Sequence, residues 1–197
     1  MKDNHNKPQQ ITSDTFLPPI ENPEDSFMRM AYDMTRQQFG KVLTPLKVAY
    51  ARMPSEFGQF SMKIGELDQK LTLPPETAVL IRQSVAGINV CSYCIDIGRS
   101  VTIEASMNQA KFDALEQYST SLLFTDVERA ALDYVTELTK DKKVNIDTFT
   151  RMAGYYSERE ICEIVWLVAS EHFYNMTNIG LNIESDMLCD ISRKNKK

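Results

Sequence analysis

Apolar positions along the chain recur at spacings of three and four, and no stretch alternates β-branched with polar residues for long. The pattern therefore predicts helices and no substantial sheet. Asn22-Pro23-Glu24-Asp25 reads as a helix start, because Asn caps free N–H groups, Pro suits the first turn and acids favour the positive end of the dipole. Phe27, Met30, Ala31 and Met34 follow at helical spacing as one apolar face, and Gly40 can end that helix. Between Pro45 and Leu71 there is room for two short helices separated by Pro54, with Phe57, Phe60, Ile64 and Leu67 on one face. Pro74-Pro75 opens a segment whose Val79, Leu80, Ile81 and Val85 suggest a largely buried helix, interrupted at Gly87-Ile88-Asn89. A further helix is expected from near Cys91 towards Ser106.

Two capping boxes come later. Thr125 stands three residues before Glu128, and Ser157 three before Glu160, so each hydroxyl and each carboxylate can serve the other's backbone. The inner stripes that follow are Ala131, Leu132, Val135, Leu138 and then Ile161, Ile164, Val165, Val168. The reading is an all-α fold of about eight or nine helices, with 22–190 as a single helical domain. Residues 1–21, broken by Pro8, Pro18 and Pro19, read as a disordered or loosely attached arm.

Composition changes this picture little. The 197 residues suit one domain, and 43% apolar with 25% charged residues is ordinary for a globular chain. No apolar run is long enough to span a bilayer, and the polar N-terminus lacks the apolar core of a secretory signal, so no membrane is implicated and a cytoplasmic location is expected. A net charge of −5 argues against nucleic acid, which needs clustered cations. The one basic run, Arg193, Lys194, Lys196 and Lys197, is expected to be a solvated, frayed end.

The chemistry is expected at the cysteines. Four are present, and Cys91 and Cys94 form a C-x-x-C pair just after the predicted helix break. In a helical turn the two sulfurs share a face and can join or part with little backbone movement. The positive end of the helix stabilises a thiolate, the nucleophilic form. Three readings compete. Structural zinc needs four ligands, and here Cys162, Cys189, His5 and His172 would all have to come from far away. Two inert core cysteines are the second reading, since free Cys packs as a small apolar residue. Redox chemistry is the third and the leading one.

The run ETAVLIRQSVAGINVCSYCIDIGRS, with FTDVERAALDYVTELTK and VASEHFYNMTNIGLNI downstream, resembles the carboxymuconolactone decarboxylase superfamily, in particular its alkylhydroperoxidase D-like branch, over about residues 25–185. The resemblance implies a compact multi-helix fold, a homo-oligomer (trimer or hexamer), and peroxide reduction or disulfide exchange without metal, haem or flavin. It implies that Cys94 attacks peroxide and becomes a sulfenic acid, and that Cys91 displaces hydroxide to close a disulfide, which a separate thiol reductant reopens. Helix-dipole reasoning alone would favour Cys91 as the more acidic thiol.

The chain departs from the family pattern twice. Gly98 stands where active relatives carry a His four residues after the second Cys, and Val79 stands where they carry a Glu twelve residues before the first. Those groups relay protons to and from the thiols. Glu76, one turn before Val79, could substitute for the missing Glu, whereas Asp96 beside a thiol would raise its pKa. The double change Val79→Glu with Gly98→His is expected to speed turnover. Gly98→His is also expected to add up to about 1 kcal/mol of stability, unless the glycine serves close packing. An alternative class is a degenerate binding or assembly module that kept the scaffold and lost the chemistry. The decarboxylation that names the superfamily does not use a cysteine pair, and the CSYC motif counts against it. His172 reads as a packed or surface residue, Trp166 as core, Cys162 as buried and inert, and Cys189 as exposed near a flexible end.

Overall fold

The structure, a computed structural model, describes residues 14–196. Nine α-helices follow one another among these residues: α1 Ser26–Phe39, α2 Phe60–Asp68, α3 Pro75–Ile88, α4 Ser92–Glu104, α5 Gln109–Asp113, α6 Asp126–Asp141, α7 Ile146–Ala153, α8 Glu158–Gly180 and α9 Leu188–Asn195. Two π-helical turns, Leu46–Tyr50 and Pro54–Gln59, join α1 to α2, and a 3₁₀ turn, Leu115–Gln117, follows α5. No strand occurs among the described residues, and no described helix is long and apolar enough to cross a membrane.

Helix α3 is the axis of the fold. Pro75 and Glu76 fill its first turn, where a missing N–H is harmless and a negative charge is favourable. Thr77, Leu80, Ile81, Gln83, Ser84, Val85 and Ala86 are all buried, so the helix is enclosed on most sides by α4, α6 and α8. Ile81 and Val85 meet Ala131 and Val135 of α6 and Ile164, Leu167 and Val168 of α8 in the largest core cluster. Both expected capping boxes are present, on α6 at Thr125/Glu128 and on α8 at Ser157/Glu160. Each satisfies N–H groups that a helix start otherwise leaves without a partner.

Several expectations are corrected. The cap of α1 is Asp25, whose Oδ1 accepts the Met28 N–H at 2.9 Å, rather than Asn22. Its inner face is Met28, Tyr32 and Phe39, while Met30 and Met34 are exposed. The Tyr32 hydroxyl fixes this rotation by donating to the Ile20 carbonyl at 2.7 Å. Residues 1–13 of the expected arm lie outside the described residues, whereas 14–21 are fastened to the body. The Phe16 N–H donates to the Leu181 carbonyl, the Ile20 N–H to that of Lys47, and Arg52 to that of Pro18. A proline-rich segment cannot bond within itself, but it offers carbonyls to neighbours.

Arg193 and Lys194 of the basic run lie in α9 rather than in a frayed end, with Lys196 as its cap, and Lys197 lies outside the described residues. Leu188 and Ser192 of α9 are buried against α4, and Lys196 donates to Ser106 Oγ. Cys189 is half-buried there, and Cys162 is exposed rather than buried. On α8 the inward turn belongs to Glu163, whose carboxylate accepts the Thr72 and Leu73 N–H groups at 2.8 and 3.0 Å, and this turns Cys162 outward.

Candidate functional site

Helix α3 ends in a turn that places the cysteines. The Val90 N–H reaches the Gly87 carbonyl and the Cys91 N–H that of Ala86, with Val90 at φ 57°. This is the left-handed stop that glycine favours, so a β-branched residue is held there at a cost of about 1–2 kcal/mol. The turn makes Cys91 the N-cap of α4, with its Sγ accepting the Cys94 N–H at 3.4 Å. Cys91 and Cys94 are joined as a disulfide across one helical turn, Cα to Cα 5.3 Å.

Both cysteines are buried, among Val48, Ala86, Tyr93 and Ile183. Their surroundings differ. Cys94 lines a cavity of about 360 Å³ and Cys91 does not. Asn178 of α8 donates from Nδ2 to Cys94 Sγ at 3.4 Å, and Gln83 of α3 donates from Nε2 to the Cys94 carbonyl at 3.1 Å. An N–H aimed at sulfur favours its anionic form once the disulfide opens.

Much of the cavity wall is apolar, with Leu43, Leu46, Val79, Ile97 and Val101 along it. One part of the wall is charged. Arg82 donates to Asp68 at 2.6 Å and to Glu171 at 3.2 Å. Asp68 also accepts from the Trp166 indole at 2.8 Å, and Glu171 from Asn175 Nδ2 at 2.7 Å. Asn89 extends the network, donating to Asn175 Oδ1 at 2.8 Å and lying 3.1 Å from His172 Nδ1. Burial, reinforced by the Asp68 carboxylate, pushes the Glu171 carboxyl above its ordinary range against the opposing pull of Arg82 and Asn175. Burial likewise raises the phenols of Tyr50, Tyr93 and Tyr174 in the wall. It lowers His172, with a smaller push from Lys142.

Val79 and Gly98, the two positions where the family pattern fails, both line this cavity. Glu76 is committed elsewhere: with Glu128 it grips Lys111, each at 2.8 Å, so it does not stand in for the missing Glu. Asp96 is committed too, since its two oxygens accept the Leu188 and Cys189 N–H groups at 2.9 Å each and cap α9. The space beside Gly98 is filled by Gln83: a Cβ there would stand 1.8 Å from Gln83 Nε2. The close-packing exception therefore applies, and Gly98→His cannot be accommodated without moving Gln83.

Sequence reasoning missed Arg82, Asp68, Glu171 and Asn178. A signal for two of them was present. Glu171, Asn175 and Asn178 recur at helical spacing among the buried positions of α8, and polar residues on an inward stripe call for partners.

No family model matches the chain. The uncharacterized protein YnjA of Escherichia coli K12 is 28% identical over 184 residues, covering 90% of this chain and 98% of that protein. Among solved structures, the debrominase Bmp8 superposes with a TM-score of 0.76 at 19% identity, over 96% of this chain and 100% of that one. A cysteine-to-alanine variant of Bmp8 in complex with 2,3,4-tribromopyrrole gives the same TM-score, at 18% identity over 92% of this chain and 97% of that one. An alkylhydroperoxidase AhpD core structure, an uncharacterized peroxidase-related protein from Ralstonia eutropha JMP134, gives 0.72 at 17% identity, over 89% of this chain and 97% of that one. The chain thus has the alkylhydroperoxidase D-like fold, and the resemblance read from the CSYC run and the downstream helices holds at the level of that fold.

Proposed function

We propose that the protein is a thiol-dependent oxidoreductase that reduces peroxides or exchanges disulfides through Cys91 and Cys94. The observation that carries this reading is the asymmetry of the pair. Cys94 lines the cavity and receives the Asn178 N–H, while Cys91 sits behind it as the cap of α4. The Cys94 thiolate attacks the terminal oxygen of a hydroperoxide, the O–O bond breaks, and an alkoxide leaves and is protonated. Cys91 then attacks the sulfenic sulfur, expelling water, and the disulfide closes. The net change is one peroxide and two thiols to one alcohol, one water and one disulfide. An external thiol reductant returns the pair to its dithiol state, which fits a cytoplasmic setting. The reading requires no metal, haem or flavin.

The likeness to Bmp8 favours a second reading. The same pair could remove bromine from an electron-rich ring, so that an aryl bromide and two thiols give the arene, hydrogen bromide and the disulfide. The apolar wall suits such a ring. We further read the protein as a homo-oligomer, trimeric or hexameric. Exposed Met30 and Met34, one turn apart on α1, offer an apolar spot that a second copy could cover.

Reduced protein treated with one equivalent of hydroperoxide tests the main reading. The expected result is peroxide consumption with loss of two hydrogens from the peptide holding residues 91–94. Both thiols recovered free after the peroxide has been offered would refute it and favour a binding or assembly module. Bromide release from a bromopyrrole, with the hydroperoxide untouched, would install the second reading.

A further inference from the structure

Resting on the thiol-oxidoreductase reading, we propose that Glu171 is the acid–base residue of the site and protonates the departing oxygen of the peroxide. Both family relay positions are unable to do so here, because Val79 has no proton and Gly98 has no side chain. Among the groups that line the cavity, the choice is short. The phenols of Tyr50, Tyr93 and Tyr174 are shifted upward and hold their protons. Arg82 is a permanent cation, and Asp68 is held by Arg82 and the Trp166 indole. His172 turns its Nδ1 to Asn89 and does not line the cavity. Glu171 remains: a carboxyl only 6% exposed, on the cavity wall, with its affinity for a proton raised.

Its placement fits the task. Glu171 precedes Asn178 by two turns of α8, roughly 10 Å along the helix axis at about 1.5 Å per residue. Both side chains line the same cavity, so thiol and carboxyl bracket a bound molecule, with the proton passing directly or through one water. Asn175, midway between them, holds Glu171 Oε1 while it accepts from Asn89. The charged groups around the carboxyl are Arg82 of α3 and Asp68 of α2. Tyr50 of the first π turn and Tyr174 of α8 are the nearby phenols. With Glu171 ionised this cluster carries a net negative charge, and a proton on Glu171 makes it neutral.

The proton balance closes. A proton passes from the Cys94 thiol through water in the cavity to the Glu171 carboxylate, giving thiolate and acid. Attack on the hydroperoxide gives the sulfenic acid and an alkoxide, which takes the proton from Glu171. The carboxylate then accepts the Cys91 proton and passes it to the hydroxide expelled from the sulfenic sulfur, so the disulfide forms with release of one water and Glu171 is left ionised.

The test uses two oxidants whose leaving groups differ widely in basicity. tert-Butyl hydroperoxide expels a strongly basic alkoxide, whereas peracetic acid expels acetate, which leaves without help. Single-turnover disulfide formation is followed in reduced wild type and in Glu171→Gln. A positioned acid contributes about 10²–10⁴-fold, so the variant should lose about 10²-fold or more with the hydroperoxide and less than about threefold with the peracid. In wild type the hydroperoxide rate should fall relative to the peracid rate as Glu171 ionises, followed over the pH range in which peracetic acid itself stays un-ionised. This ratio decides the matter even if the variant does not fold, and a ratio flat with pH would overturn the proposal. Equal slowing of both oxidants, or of neither, would overturn it while leaving the oxidoreductase reading intact. If neither oxidant closes the disulfide in wild type, that reading falls and this inference falls with it.

Discussion

Replacing Gly98 by alanine should destabilise the protein, although the site is the middle of a helix, where alanine is normally preferred by up to about 1 kcal/mol. An added Cβ would stand 1.8 Å from Gln83 Nε2 and 2.6 Å from its Cδ. Gln83 is buried and donates to the Cys94 carbonyl at 3.1 Å, so it has to leave that bond to admit a methyl group. The carbonyl keeps its place in the α4 ladder, but the displaced amide loses a partner in a buried setting, which costs about 1–3 kcal/mol. Overpacking adds a comparable amount. Against a propensity gain of up to about 1 kcal/mol, the net loss is about 1–5 kcal/mol, read as a lower urea midpoint at unchanged slope. The decisive control is Gln83→Ala. In that background the methyl group finds open space, and Gly98→Ala should be neutral or stabilising by up to about 1 kcal/mol. The double-mutant coupling is then the sum of the two steric costs, about 2–6 kcal/mol. A raised midpoint for Gly98→Ala alone would refute the reasoning.

Asn178→Ala removes the donor on Cys94 Sγ, so the pH at which reduced Cys94 is half-alkylated by iodoacetamide should rise, while Cys91 changes less. An unmoved Cys94 profile in a folded variant would count against the polarity of the site. Light scattering in dilute buffer should give a mass above that of the 22.5 kDa chain, and Met30→Glu with Met34→Glu should lower it. A wild-type monomer at micromolar concentration would count against the assembly.

What was legible in the sequence is what depends on neighbours along the chain. The capping boxes of α6 and α8 are three-residue motifs, and the Cys91/Cys94 spacing is likewise local. The stripe of α3 is readable because its apolar residues Leu80, Ile81 and Val85 are among the buried ones and stand at helical spacing. The face of α1 was misread because apolar residues occur on both of its sides, and the choice is made by the distant Ile20 carbonyl taking the Tyr32 hydroxyl. The charged wall was hidden for the same reason. Arg82, Asp68 and Glu171 come from three helices, and only the packing of α3 on α8 brings the first to the last. Asp96 looked like a neighbour of the thiols and is a cap for α9, a role that requires knowing where the C-terminal helix docks.

The two departures from the family pattern border one cavity, and packing accounts for one of them. Gln83 fills the room beside residue 98 and so has to move before any larger side chain fits there. It also holds the Cys94 carbonyl, which steadies the first turn of α4. A histidine at 98 would therefore disturb the turn that carries Cys94, and Val79→Glu with Gly98→His is expected to slow the protein rather than speed it, unless Gln83 is shortened as well. With that side of the cavity sterically closed to a proton carrier, a proton for the leaving group has to come across the cavity. The face that borders it there is that of α8, which already presents Asn178 to the sulfur and Glu171 to Arg82. Glycine at 98 and polar residues at 171, 175 and 178 are then one arrangement, in which moving the acid to α8 leaves α4 free to pack tightly on α3.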